Sequence, residues 1–141
     1  MKEYHATTTI EAIPETIWAI LTDAPNYPQW DPVVERIEGR IAPGEKLVTF
    51  TKLSPGQAFP AKVTEFVPHK YMKWSGGMPL GLFKGERTFT LVPQGNGTIE
   101  FTVREVFSGP LLPLIGRSLP DMTSPFEQFV AGLKKRAEHT E

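Results

Sequence analysis

The sequence predicts an α+β fold in which a curved antiparallel sheet wraps around one long C-terminal helix. Strand-like segments separated by turn residues recur through the middle of the chain, and apolar residues recur at helical spacing near its end. Only short helical segments follow the first strand. Strands followed by a helix are typical of α+β domains, and we expect a cavity where sheet and helix stand apart.

The N-terminal segment is predicted to be a strand followed by a short helix. Residues 3–12 are rich in Thr and alternate loosely between apolar and polar side chains, as in a half-buried strand. Pro14 suits the first position of a helix, and apolar residues follow it at helical spacing up to Thr22. A helix is therefore expected over residues 14–22.

The next segment, APNYPQWDPVV over residues 24–34, places Tyr27 and Trp30 among three prolines. Its prolines exclude a regular helix or a central strand and predict a second, irregular helical turn. A surface linker needs no large aromatic side chains, so we expect this segment to close one end of the cavity. Tyr27 and Trp30 would either pack in the core or contact a ligand.

A hairpin after Arg87 places two charged residues on an apolar face. A three-residue Gly95–Gly97 loop with Gly97 in the left-handed conformation sets Gln94 opposite Thr98. This register pairs Arg87 with Glu105 on the buried face, whereas a two-residue turn would put apolar residues on opposite sides of the sheet. The two charges must be ion-paired or reach water in a cavity. They form either a salt bridge at the sheet's rim or the polar anchor of an apolar site.

The C-terminal helix carries the strongest periodic signal in the chain. Apolar residues recur at spacings of 3 and 4 from Ile115 to Ala137. Ser124 and Glu127 form a capping-box pattern, and Pro125 suits the first helical position, so the regular helix is predicted over residues 125–138. Earlier prolines predict a broken or kinked lead-in.

Composition excludes several classes of function. The chain has 141 residues, with 15 Lys and Arg against 16 Asp and Glu, so no strong field attracts nucleic acid. Zero cysteines exclude disulfides and thiolate chemistry, and the three histidines are not grouped at metal-ligand spacing. No apolar run is long enough to span a membrane, and the N-terminus lacks a signal-peptide pattern. We expect a cytoplasmic protein without a metal or cofactor.

Motifs along nearly the whole chain resemble the START-like (helix-grip) superfamily and, within it, the polyketide cyclase/dehydrase and SRPBCC-type branch. These motifs are IEAIPETIWAILTD followed by NYPQWDPVV, FKGERTFTLVPQGNGT, REVFSGPLLPL and FxxFVAGLKKRAE. The resemblance implies one helix-grip domain over residues 1–141, with Trp30 on the turn that covers one end of the grip. Members bind lipids, sterols, hormones, quinones or polyketides between sheet and helix, and only some are enzymes, so fold alone does not choose the function.

Three functional hypotheses follow. The first is a non-catalytic monomer or homodimer that binds a small lipid-like, aromatic or polyketide-like molecule with one polar group. The second is a cyclase or dehydratase in which Arg87 stabilises an enolate, while Glu105 orients Arg87 or moves a proton. The third is a protein-interaction module related by fold to chaperone cofactors.

The predicted ligand-binding residues lie on the sheet, on the apolar glycine-rich loop 76–85 and on the last helix. The loop is either a gate at the cavity mouth or a plain loop tucked on the core. The predicted residues are Trp74, Met78, Phe83, Arg87, Phe89, Val103, Glu105, Phe107, Met122 and Phe126.

Overall fold

The computed structural model describes residues 1–139. They form a curved antiparallel sheet and three α-helices, with a 3-10 turn at Ala24–Gln29 and a shorter one at Pro79–Gly81. The strands are β1 (Lys2–Ile10), β2 (Val34–Gly39), β3 (Lys46–Thr51), β4 (Ala58–Val67), β5 (Tyr71–Gly77), β6 (Lys84–Pro93) and β7 (Ile99–Ser108). The helices are α1 (Pro14–Leu21), α2 (Leu112–Ile115) and α3 (Thr123–Glu138).

The seven strands lie in the order β1-β7-β6-β5-β4-β3-β2, and every neighbouring pair is antiparallel. From β2 to β7 the strands form a meander, while β1 joins β7 at one edge and β2 forms the other. Helix α1 and the turn Ala24–Gln29 connect the two edges. Helix α3 packs on β1 and β7 and against α1. The predicted α+β arrangement is confirmed.

The β6–β7 hairpin has the predicted register. The amide of Gln94 donates to the carbonyl of Thr98 at 3.0 Å, and Gly97 has a φ of +82°. Arg87 pairs directly with Glu105. Local turn chemistry and the apolar pattern of the two strands were sufficient to fix this register.

Helix α3 begins two residues earlier than its sequence predicts, and the capping-box interpretation is wrong. Asp121 Oδ1 accepts the amide of Thr123 at 2.9 Å, and the Phe126 amide donates to the Met122 carbonyl at 3.0 Å. Ser124 therefore lies inside the helix, where its hydroxyl accepts a hydrogen bond from Gln128. Pro125 is tolerated because the first amides of a helix need no intrahelical acceptor.

The main apolar core lies between α3, α1 and the concave face of the sheet, and it includes both aromatic residues of the proline-rich segment. The Tyr27 and Trp30 ring centroids are 4.7 Å apart, and Trp30 packs edge-on against Phe129 at 5.0 Å. The Tyr27 hydroxyl donates to the Leu21 carbonyl at 2.5 Å. Both aromatics are thus core residues, and neither lines the cavity.

A glycine on α3 permits the helix to approach this segment closely. A Cβ atom at Gly132 would clash with the backbone carbonyl of Trp30. Only a residue without a side chain fits there, so Gly132 fixes how α3 sits against the turn Ala24–Gln29. No helix within residues 1–139 is long and apolar enough to cross a membrane.

Candidate functional site

A cavity of about 380 Å³ lies between the concave face of the sheet, the N-terminal part of α3 and the segment that joins α2 to α3. This volume is within the range of small-molecule sites. Aromatic and aliphatic side chains form most of its wall. The end of the proline-rich segment contributes Asp31, Val33 and Val34.

Most of the predicted site residues meet at this cavity, although they come from three strands, from the glycine-rich loop and from the start of α3. Strand alternation brings the β5, β6 and β7 residues to the concave face, and the first turns of α3 face them. Those that line the cavity are Trp74, Phe83, Arg87, Glu105, Phe107, Met122 and Phe126.

The other three predicted residues lie elsewhere. Phe89 and Val103 are completely buried in the core and do not line the cavity. They share a face with Arg87 and Glu105 but lie two residues closer to the hairpin, where Phe129 of α3 covers the sheet; its ring centroid is 5.9 Å from that of Phe89. Met78 is partly exposed in a shallower depression beside Phe83.

Arg87 and Glu105 form an ion pair in the cavity wall. Both Nε and Nη2 of Arg87 donate to Glu105 Oε1, at 3.2 and 2.7 Å. The Arg87 guanidinium also lies over the Phe126 ring, 5.1 Å from its centroid. The side chains are 22% and 13% exposed, so the pair is neither at an open rim nor fully buried.

Asp31 is a cavity residue that the sequence analysis did not identify. It is 3% exposed, and its Oδ1 accepts the Val33 amide at 3.0 Å. Burial raises the pKa of the Asp31 carboxyl, while the Val33 hydrogen bond and the positive charge of Arg87 oppose this rise. The sequence did contain a signal that could have identified Asp31, because this carboxylate lies between Trp30 and Pro32 in an otherwise apolar stretch.

Trp74 contributes a second unusual polar group. Its side chain is 5% exposed and lines the cavity, yet its indole Nε1 is buried without a hydrogen-bond partner in residues 1–139. The Trp74 ring centroid is 4.7 Å from that of Phe89 and 6.4 Å from that of Tyr27. Strand alternation predicts the face of the sheet on which Trp74 lies, but it does not predict whether the indole N–H group has a hydrogen-bond acceptor.

Two largely apolar segments meet beside the cavity. The Leu111 amide donates to the Leu82 carbonyl at 2.9 Å, which joins the glycine-rich loop to the start of α2. Phe83 stacks on Phe107 with centroids 5.8 Å apart, whereas Leu80 is 96% exposed. The loop is thus partly tucked on the wall and partly exposed, and its role as a gate stays a prediction.

Within residues 1–139, no three His, Cys, Asp or Glu side chains are grouped so that they could hold a metal ion. The ionisable side chains in the wall are Asp31, Arg87 and Glu105. These side chains can form hydrogen bonds and ion pairs, and the two carboxyl groups can also transfer protons.

Comparison with known proteins gives one family match. The model of the family described as "Polyketide cyclase / dehydrase and lipid transport" matches residues 1–138. No curated protein matches the sequence of this chain.

Many solved structures match this chain, and the three described here are distant from it in sequence. A START superfamily protein from Mycobacterium smegmatis has a TM-score of 0.68 at 22% identity, with 96% of this chain and 97% of that chain covered. A truncated norcoclaurine synthase from Thalictrum flavum has a TM-score of 0.70 at 18% identity, with 99% and 95% covered. The di-domain ARO/CYC BexL from the BE-7585A biosynthetic pathway has a TM-score of 0.70 at 14% identity, with 98% and 47% covered. At these identities the likeness shows the helix-grip fold alone.

Proposed function

Because the chain belongs to the polyketide cyclase/dehydrase and lipid transport family, we propose that it binds a small hydrophobic molecule with one polar group in the cavity between its sheet and α3. The observation that carries this proposal is the cavity itself, with its apolar wall and one ion pair. Apolar walls with a few placed polar groups are typical of small-molecule sites.

The apolar wall supplies the affinity. Transfer of a ligand's apolar surface from water into the cavity is favourable by roughly 25 cal/mol per Å². Phe107 and Phe126 present aromatic surface next to the ion pair. A flat aromatic or lipid-like molecule fits this lining better than a polar one.

The ion pair supplies orientation. Two nitrogens of Arg87, Nε and Nη2, donate to a single oxygen of Glu105. The third nitrogen of Arg87, Nη1, has no hydrogen-bond partner among the described residues. Glu105 therefore holds the guanidinium in place and leaves a donor for a ligand oxygen. A polar group on the ligand would bind at Arg87, with the apolar part along the aromatic wall.

The binding proposal is tested by extraction and by ligand-dependent stability. Organic extracts of purified protein, analysed by mass spectrometry, should contain a retained apolar compound. Protein stripped by extraction and refolded should show a melting temperature that rises with the concentration of a naphthalene-type probe, because a ligand of the native state stabilises it. An empty protein whose melting temperature no apolar compound shifts would contradict the proposal.

A cyclase or dehydratase is the second candidate function, and Asp31 is the observation that favours it. The raised pKa of a buried carboxyl in the cavity suits proton transfer. Arg87 would stabilise enolate charge, and Asp31 or Glu105 would move the proton. The test is cyclisation of a synthetic β-triketone thioester, which Arg87→Met should abolish while binding persists. Absence of turnover by the wild type would exclude this function, and equal turnover by the wild type and Arg87→Met would exclude the role of Arg87.

A further inference from the structure

We propose that Asp31 binds a hydroxyl group of the ligand, so that the cavity selects an alcohol or a phenol over a ketone or an amine of the same shape. This inference rests on the binding function proposed above and names the polar group that the site recognises. Three features of the cavity support it.

The first feature is an acceptor atom that a ligand can reach. Asp31 lines the cavity, and its Oδ1 accepts the Val33 amide at 3.0 Å. The Val34 amide lies near the carboxyl and lowers its pKa, but it forms no hydrogen bond with Oδ2. Within residues 1–139, Trp74 Nε1 is the one side-chain polar atom that lacks both a partner and accessible surface, so the unpartnered Oδ2 of Asp31 retains accessible surface. Buried polar atoms are normally hydrogen-bonded, and a donor on the ligand would satisfy this oxygen.

The second feature is a donor at the same end of the cavity. The Asp31 amide donates to the Tyr27 carbonyl at 2.9 Å, and the ring centroids of Tyr27 and Trp74 are 6.4 Å apart. Trp74 pairs directly with Arg87 across β5 and β6, and the positive charge of Arg87 lowers the pKa of Asp31. Asp31 and Arg87 are therefore neighbours in the wall. Arg87 Nη1 also has accessible surface and no partner among the described residues, so the site offers one acceptor and one donor.

The third feature is the chemical match between this pair of groups and a hydroxyl. A hydroxyl group has one hydrogen to donate and two lone pairs that accept. Its hydrogen would bind Asp31 Oδ2, and its oxygen would accept from Arg87 Nη1. A ketone has no hydrogen for Asp31. An ammonium group has no lone pair for Arg87, whose positive charge would repel it.

Three probes with the same carbon skeleton separate these possibilities: 1-(2-naphthyl)ethanol, 2-acetylnaphthalene and 1-(2-naphthyl)ethylamine, which is a cation at neutral pH. Their dissociation constants are measured by isothermal titration calorimetry. We expect the alcohol to bind roughly tenfold more tightly than either other probe, because it alone forms both hydrogen bonds and one of them is to a carboxylate.

The substitution that tests the acceptor is Asp31→Asn. It replaces Oδ2 with an NH₂ group, which donates and cannot accept, while the amide oxygen still accepts from Val33. The preference for the alcohol over the ketone should fall to less than about threefold. The matched control is Asp23→Asn, the same change at a side chain that does not line the cavity, and it should retain the preference.

A second measurement follows the Asp31 carboxyl directly. The chain has three aspartates, so protein with ¹³C-labelled aspartate gives three side-chain carboxyl resonances, and Asp31→Asn identifies that of Asp31 by its loss. Replacing the other two aspartates in turn gives the same assignment if Asp31→Asn fails to fold. A donated hydrogen bond stabilises the carboxylate, so Asp31 should titrate at a lower pH in the alcohol complex than in the ketone complex. The charges of Arg87, Lys52 and Glu105 are the same in both complexes.

The outcomes separate this inference from the binding function. Equal affinity for alcohol and ketone, with Asp31 titrating at the same pH in both complexes, overturns the inference and leaves the cavity as a binding site. Tighter binding of the ketone or the amine overturns the hydroxyl. A preference for the alcohol that persists in Asp31→Asn overturns the role of Asp31. If none of the three probes binds, both proposals fail.

Discussion

Arg87 and Glu105 face each other across β6 and β7, with Arg87 Nη2 2.7 Å from Glu105 Oε1. The pair lies in a cavity wall with an aromatic ring under the guanidinium. It thus occupies an environment between a solvated surface and a dry core. This partial burial determines how much free energy of unfolding is lost when the ion pair is broken.

Replacing Glu105 with Leu should destabilise the fold by about 2 to 3 kcal/mol, because it leaves Arg87 partly desolvated without its counterion. The value lies below the roughly 3–5 kcal/mol of a fully buried pair because the Arg87 side chain is 22% exposed. The measurement is urea unfolding at equilibrium. A loss of less than about 1 kcal/mol would mean that the pair behaves as a surface pair.

Two controls accompany this substitution. The double variant Arg87→Met/Glu105→Leu removes both charges and should recover much of the lost stability. Glu3→Leu breaks the ion pair between Glu3 and Arg104 on the exposed face, where solvent screens the charges, and should change stability little. A double variant less stable than Glu105→Leu would contradict the desolvation explanation.

Gly132→Ala should destabilise the protein by about 1 to 3 kcal/mol, because the new Cβ clashes with the Trp30 carbonyl. The sign of the change in stability is informative, since replacing Gly with Ala in a helix interior otherwise stabilises a protein by about 1 kcal/mol. Lys135→Ala, on the exposed side of α3, is the control and should leave stability nearly unchanged. Urea unfolding that shows Gly132→Ala to be more stable than wild type would disprove the close approach.

Asp31→Asn should raise stability relative to wild type at pH 7 more than at pH 4. A raised pKa in the folded state means that the contribution of Asp31 is fully present below its unfolded pKa of about 3.9 and is lost as the pH rises through the folded value. Asn keeps an acceptor for the Val33 amide and does not ionise.

The measurement is urea unfolding of both proteins at several pH values between 4 and 7. Hydrogen bonds lower the pKa values of Glu3, Asp121 and Glu138, which gives the opposite pH dependence, but both proteins share these groups and they cancel in the difference. A stability difference independent of pH would show that Asp31 is not desolvated.

Gly85→Leu should abolish the binding of a naphthalene-type probe such as 2-acetylnaphthalene while the protein remains folded. Gly85 lines the cavity, and the three heavy atoms nearest to a Cβ there belong to the Phe107 ring and the Glu105 carboxylate, side-chain atoms that can shift by a few tenths of an ångström. A leucine side chain would then occupy the space of the ligand. Val92→Leu on the exposed end of the same strand is the control and should bind normally. Unchanged binding of 2-acetylnaphthalene by Gly85→Leu would place the site elsewhere.

The sequence by itself determined the elements and the register that brings Arg87 to Glu105. Turn chemistry at Gly95–Gly97 and the alternation of the strands are local, so they can be calculated from neighbouring residues. The apolar period predicted α3 for the same reason. Its first residue was missed because Asp121, a residue outside the apparent capping box, accepts the Thr123 amide.

The tertiary structure alone decided which residues on the apolar faces line a cavity and which are solid core. Phe89 and Arg87 share one strand face, yet α3 covers the first and leaves space at the second. Sequence patterns also did not predict the burial of Asp31, or that the Trp74 N–H has no acceptor among the described residues. These positions follow from contacts between residues far apart in the chain, such as Gly132 and Trp30, and local periodicity carries no information about such distances.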